Sequence, residues 1–147
     1  MKRILMFFLF PIILGSCGNT QEKIKTAIIT NVNDEFFERD SKLSFLEVRI
    51  KEIENKKVDT LIINSLSAIA LNDFGTKSYL NTPKWKKLKE MQGKYTSSQI
   101  GYQVKCEIRG TGSRLNSSKS ENFVLQNAWF LLDDKFQVFN SSLIFDN

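Results

Sequence analysis

Two cysteines, no histidine and a few clustered polar residues bound the chemistry open to this 147-residue chain. Histidine is the usual general base of serine and cysteine triads and the commonest transition-metal ligand, so its absence removes most hydrolase and zinc chemistry. Carboxylates remain, but the adjacent pair Asp133-Asp134 sits where a tight turn favours such residues. Gly110-Thr111-Gly112 follows a strand pattern yet opens into Ser, Asn and Lys rather than a helix, which reads as a hairpin loop and not a phosphate cradle. The cysteines differ. Cys17 follows the small residues Gly15 and Ser16, leaving its thiolate accessible for thioether formation. Cys106 lies in Tyr102–Arg109, where alternate residues are apolar, and is expected to face inward as a core residue.

The segment before Cys17 decides what its thiol is for. Lys2-Arg3 precede an apolar run from Ile4 to Leu14, broken only by Pro11, and the order basic, apolar, small is that of a cleavable export signal. As a helix the run spans ~16 Å, about half of the ~30 Å needed to cross a bilayer. Leu14-Gly15-Ser16-Cys17 resembles the lipobox of bacterial lipoproteins. That resemblance implies cleavage between Ser16 and Cys17 and a diacylglyceryl group and N-acyl chain on Cys17. It also implies an outer-membrane address facing the periplasm, since Gly18 is not the aspartate that retains some lipoproteins at the inner membrane. Each chain contributes ~0.8 kcal/mol per buried methylene, so two or three anchor firmly.

Removal of residues 1–16 leaves 131, enough for one core. The expected organisation is a signal peptide over 1–16, a lipidated tether over 17–22 and a single domain over 23–147. With 41% hydrophobic and 25% charged residues the chain is globular in composition. The formal charge of +5 falls to +3 once Lys2 and Arg3 are removed, and the basic residues are scattered, with no stripe suited to nucleic acid. With Cys17 acylated, Cys106 is the sole remaining thiol, which excludes an intrachain disulfide.

Ile24, Ala27, Ile28 and Val32 predict a helix over about Gln21–Glu38. Residues 43–54 fit two periods. Leu43, Leu46, Ile50 and Ile53 have helical spacing and Ser44 with Glu47 forms a capping box, whereas Leu46, Val48 and Ile50 alternate with charges as in a strand. A further helix is expected from an Asp59 cap to a Gly75 stop, and another from Thr82-Pro83 with Trp85, Leu88, Met91 and Tyr95 on its docking face. Strand patterns follow over Tyr102–Arg109, Phe123–Leu132 and Phe136–Phe145, the last two joined tightly at Asp133-Asp134-Lys135. On the second strand, alternation places Phe123, Leu125 and Trp129 on one side and Val124, Phe130 and Leu132 on the other.

The expected fold is therefore α+β, with N-terminal helices packed on a C-terminal antiparallel sheet of three or four strands. From Trp85 onward this arrangement is similar to nuclear-transport-factor-2-like and cystatin-like envelope domains, and no functional residue carries over from either. A long exposed loop is expected over Arg109–Asn122, where Arg109, Arg114 and Lys119 could engage an anionic glycan, a phospholipid or an acidic protein surface. The leading function is a lipid-anchored envelope module that binds a protein or envelope polymer, an inhibitor or immunity protein being one form. It needs no cofactor or metal beyond the covalent lipid. The alternatives are a small enzyme using carboxylates in an apolar pocket and a structural or assembly component of the outer membrane.

Overall fold

The computed structural model describes residues 15–38, 41–72, 75, 77–114 and 119–143. Leu14 and the apolar run before it lie outside these residues. Helix α1 (Gly15–Glu38) is followed by strand β1 (Ser41–Lys57), helix α2 (Val58–Asn72), a 3₁₀ turn (Ser78–Asn81), helix α3 (Pro83–Met91) and strands β2 (Ile100–Arg114), β3 (Glu121–Leu132) and β4 (Val138–Ser142). The strands form one antiparallel sheet in the order β1-β2-β3-β4. The protein is α+β, and its first strand precedes two of its helices. None of the described helices is long and apolar enough to cross a membrane.

Residues 43–54 are strand, and β-bulges explain why two periods fitted them. Ladder irregularities fall between Leu43 and Phe45 and between Ile50 and Glu52, so that Ser44 and Lys51 are extra residues. Each extra residue inverts the alternation of faces. Leu43, Leu46, Val48, Ile50 and Ile53 therefore share one face and pack in one cluster with α1. Spacings of three, two, two and three are those of a twice-bulged strand, and they mimic a helix. The Ser44 and Glu47 capping box does not form; Ser44 Oγ instead donates to the Thr111 carbonyl at 3.1 Å.

A third bulge corrects the faces of β3. Cys106 pairs with Ala128 and Ile108 with Leu125, so β3 has one more residue than β2 between these pairs. Phe123 and Leu125 consequently join Ala128, Phe130 and Leu132 on the α1 face, while Trp129 and Leu131 pack on the other face with α2 and α3. β3 lies between two neighbours, as its apolar residues on both sides require.

α1 begins earlier than its periodic core implies, so residues 17–22, expected as a tether, are its first turns. Ile24, Ile28 and Val32 are fully buried against the sheet. α2 starts at Val58 and ends at Asn72, short of Gly75; Asp59 lies inside its first turn and is not its cap. α3 matches its expected start: Thr82 Oγ1 accepts from the Trp85 N–H at 3.2 Å and Pro83 occupies the first helical position. Leu88 is buried on α3, with Trp85, Met91 and Tyr95 packed around the same cluster. Thr82→Ala is expected to lower stability by about 1 kcal/mol, read as a shift of the urea midpoint at constant slope. A change indistinguishable from zero would contradict this cap.

The tight connection after β3 is held by Asp133, which is 2% exposed. Its Oδ1 accepts from the N–H groups of Lys135 (2.9 Å) and Gln137 (2.8 Å), and its Oδ2 from the Tyr95 hydroxyl (3.0 Å). These bonds tie the hairpin to the segment after α3. Burial and the carboxylates of Asp133 and Asp134 push the Tyr95 phenol up to about 12. Phe136 takes a positive φ of 63°, a strained conformation for a bulky side chain. Stacking on Tyr102 at 5.2 Å and the ammonium of Lys23 over its ring help to hold it there.

Candidate functional site: the groove beside β4

Of the residues expected to form a binding loop, Arg109 is set apart along β2 from Arg114 and Lys119, which lie toward the same end of the β2–β3 hairpin. β2 continues through Gly110 and Gly112 to Arg114, and β3 already starts at Glu121, so most of the expected 109–122 loop is sheet. Gly110 and Gly112 are glycines because the sheet is crowded there. A Cβ on Gly110 would lie 2.7 Å from Cε1 of the Phe123 ring and 3.0 Å from the Phe45 carbonyl oxygen. Arg109 is a strand residue whose Nε donates to Glu107 Oε1 at 2.6 Å. Arg114 lies five residues further along β2, ~17 Å away, opposite Ser41, and Lys119 precedes β3. Ser16 and Cys17 fall in the first turn of α1.

Cys106 is fully buried between β1 and β3 beneath α1. Burial pushes its thiol up to about 12, against a small opposing effect of the Lys51 charge. The thiol is therefore expected to resist an aromatic disulfide reagent at pH 8 and to react only as fast as the protein opens. Because the unfolded thiol ionises first, its contribution to stability is complete below about pH 9 and is lost as pH rises through the folded value. Chemical denaturation of the parent and of Cys106→Ala between pH 7 and 10.5 checks the sign; an equal alkaline loss in both would contradict it.

The face of the sheet away from α1 carries paired charges where α2 and α3 do not cover it. Lys105 donates to Glu52 at 2.9 Å, Lys56 to Glu54 at 2.6 Å, and Arg109 to Glu107. The cations hold the Glu54 and Glu107 carboxyls below the ordinary range, through direct bonds to Lys56 and Arg109 respectively. Such exposed, solvent-screened pairs contribute little to stability and leave no single sign of charge to attract a ligand.

A concavity among the described residues runs along β4. α1 forms one wall through Asn31, Asp34 and Glu35; α3 forms the other through Pro83, Lys84 and Lys87; and Val138–Ser141 form the floor, around about 600 Å³. β4 has one sheet neighbour, so its outer side is a sheet edge. Lys84 Nζ reaches over this edge to the Ser141 carbonyl at 3.3 Å. Desolvation lowers the Lys84 pKa, partly opposed by the Glu35 carboxylate. Asn140 is 6% exposed and its Oδ1 has no hydrogen-bond partner; the buried Oδ1 of Asn31 has none either. A buried acceptor left unmade costs ~1–3 kcal/mol, so two at one groove mark a place poised to receive donors.

Of these groove residues only Pro83 stood out in the sequence, as a helix start and not as part of a site. Asn31 stands between the apolar positions Ile28 and Val32, and Asn140 begins the polar triplet Asn140-Ser141-Ser142; neither pattern by itself marks a site. Among the described residues no group of three or more Cys, Asp or Glu is gathered to hold a metal ion. No family model matches the chain, and no match was found among curated proteins or solved structures.

Proposed function

We propose that the protein is a bacterial lipoprotein, acylated on Cys17 and standing on the periplasmic side of the outer membrane, whose domain is a binding module for a protein or envelope polymer. The observation that carries the anchor is the order of Lys2-Arg3, the apolar run Ile4–Leu14 and Leu14-Gly15-Ser16-Cys17. The position of Cys17 adds to it. Ile24, which is buried, follows Cys17 by seven positions within one helix, ~10 Å of rise, so acylation there would hold the domain close to the bilayer.

The direction of α1 orders the rest of the surface. Near its start Lys23 lies over Phe136 at the β3–β4 turn, and near its end Phe36 stacks on Phe123 at 5.0 Å. Arg114 and Lys119 therefore lie at the end of the domain away from the anchor, and the groove beside β4 lies between. Binding is favoured over carboxylate catalysis because the groove beside β4 offers a sheet edge between walls of opposite charge.

The intact mass of the chain extracted from bacterial membranes tests this reading. A species starting at Cys17 with diacylglyceryl and N-acyl groups supports it. A mass equal to the uncleaved or unacylated chain would sink the anchor and with it the envelope address.

A further inference from the structure

The groove beside β4 has the chemistry of a site for one more strand. We propose that it binds an extended peptide segment of a partner protein as a fifth strand on the edge of β4, with basic side chains of the segment toward α1 and acidic ones toward α3. This deepens the binding-module reading above and rests on it.

Three observations carry the proposal. First, the floor is a sheet edge, where backbone N–H and C=O groups recur along the strand and match those of another extended chain. Secondly, Asn140, more than nine-tenths buried, and Asn31 both line this groove, and the Oδ1 of each is buried without a hydrogen-bond partner, so donors that a peptide brings into the groove would relieve both. Thirdly, the walls differ in charge. Asp34 and Glu35 stand on the α1 side, and Lys84 and Lys87 on the α3 side. Side chains of an added strand alternate between the two faces of the sheet, so alternating basic and acidic residues would meet both walls at once.

The same geometry disfavours other occupants. A second copy pairing antiparallel through β4 is related by a two-fold axis perpendicular to the sheet. Such an axis sets α1 against α1 and α3 against α3, bringing Asp34 toward Asp34 and Lys87 toward Lys87. A glycan needs an aromatic face on which to stack, and the one aromatic residue in the lining, Phe139, is buried in the core. Lys84 by itself could be a guard against edge pairing. Guarding alone does not account for the two buried acceptors beside it. A peptide N–H replacing Lys84 on the Ser141 carbonyl frees the ammonium to meet a peptide carboxylate.

The test is an NMR titration of the full chain, in non-ionic detergent, with two end-blocked octapeptides of equal composition and charge, (Lys-Glu)₄ and (Lys-Lys-Glu-Glu)₂. The first segregates its charges by face when extended and the second does not. The expected result is that (Lys-Glu)₄ moves the amides of Val138–Ser142 and binds at least tenfold more tightly. Lys87→Glu is exposed and should fold normally; it is expected to weaken (Lys-Glu)₄ at least tenfold, with Lys87→Arg retaining binding. Asn140→Leu, if it folds, should weaken it as well. Equal affinities for the two peptides, no binding by either, shifts confined to the charged face around Arg109, or self-association through β4 would each overturn the proposal. The anchor is read separately from the intact mass, so failure of one is not mistaken for failure of the other.

Discussion

Phe130→Ala is expected to lower the unfolding free energy by about 3–5 kcal/mol, a large part of the ~5–15 kcal/mol typical of a whole domain. Phe130 is fully buried, and it occupies the one strand of the hairpin that has neighbours on both sides, facing Val104 on β2 and Ser141 on β4. Its ring fills the layer between the sheet and α1 together with Ile28, Cys106 and Ala128. Truncation removes the transfer free energy of the ring and leaves a cavity that a helix and three strands cannot all close in on. Urea denaturation followed by far-UV circular dichroism measures it. Phe45→Ala is the control, because that ring is 55% exposed on the uncovered edge and its loss should fall within about 0.5 kcal/mol. Similar losses for the two would show that the layer between α1 and the sheet is not the core.

Gly101→Ala is expected to cost about 2–3 kcal/mol although it adds one methyl group, because the groups it would meet are backbone and core. A Cβ at Gly101 would collide with the Leu132 carbonyl oxygen and would lie 3.0 Å from Val58 Cγ2 and 3.4 Å from the Leu132 carbonyl carbon. Moving that carbonyl disturbs the last ladder pairs of β2 and β3, and moving Val58 disturbs the start of α2, whose N–H is bonded to the Gln99 carbonyl at 3.1 Å. Gly75→Ala provides the contrast, with nothing within 4 Å of the added carbon, and is expected to be neutral or slightly stabilising. A Gly101→Ala variant as stable as the parent in the same urea titration would mean that the Leu132 carbonyl and Val58 do not close on this position.

Much of the fold was legible because burial leaves a period in the chain. Ile24, Ile28 and Val32 announced the buried stripe of α1, Thr82-Pro83 the start of α3, and Asp133-Asp134 the hairpin between β3 and β4. Where reading failed, the cause was a local change of period. Ser44 and Lys51 make β1 look partly helical, and the extra residue on β3 moves Phe123 and Leu125 to the face opposite the one that alternation assigns. Gly110 and Gly112 read as loop residues because glycine has no side chain to show a period, whereas here the space beside them is filled by Phe123 and β1.

The candidate site was far less legible. Asn31 and Asn140 lie 109 residues apart in the chain, on a helix and on a strand at the opposite end of the sequence. Nothing local to either shows that it is buried without a partner. Sequence alone determined the inward-facing position of Cys106, the lack of histidine chemistry and the stripes that build α1, α3 and the hairpin, since these depend on residue types and short spacings; the address at Cys17 is its proposal. Tertiary structure decided which face each strand presents, why the glycines of β2 must be glycines, and that Lys84, Asn31 and Asn140 meet over a sheet edge. The physical reason is that bulges and edges are properties of pairing between strands, and a single strand read by itself does not carry its partner.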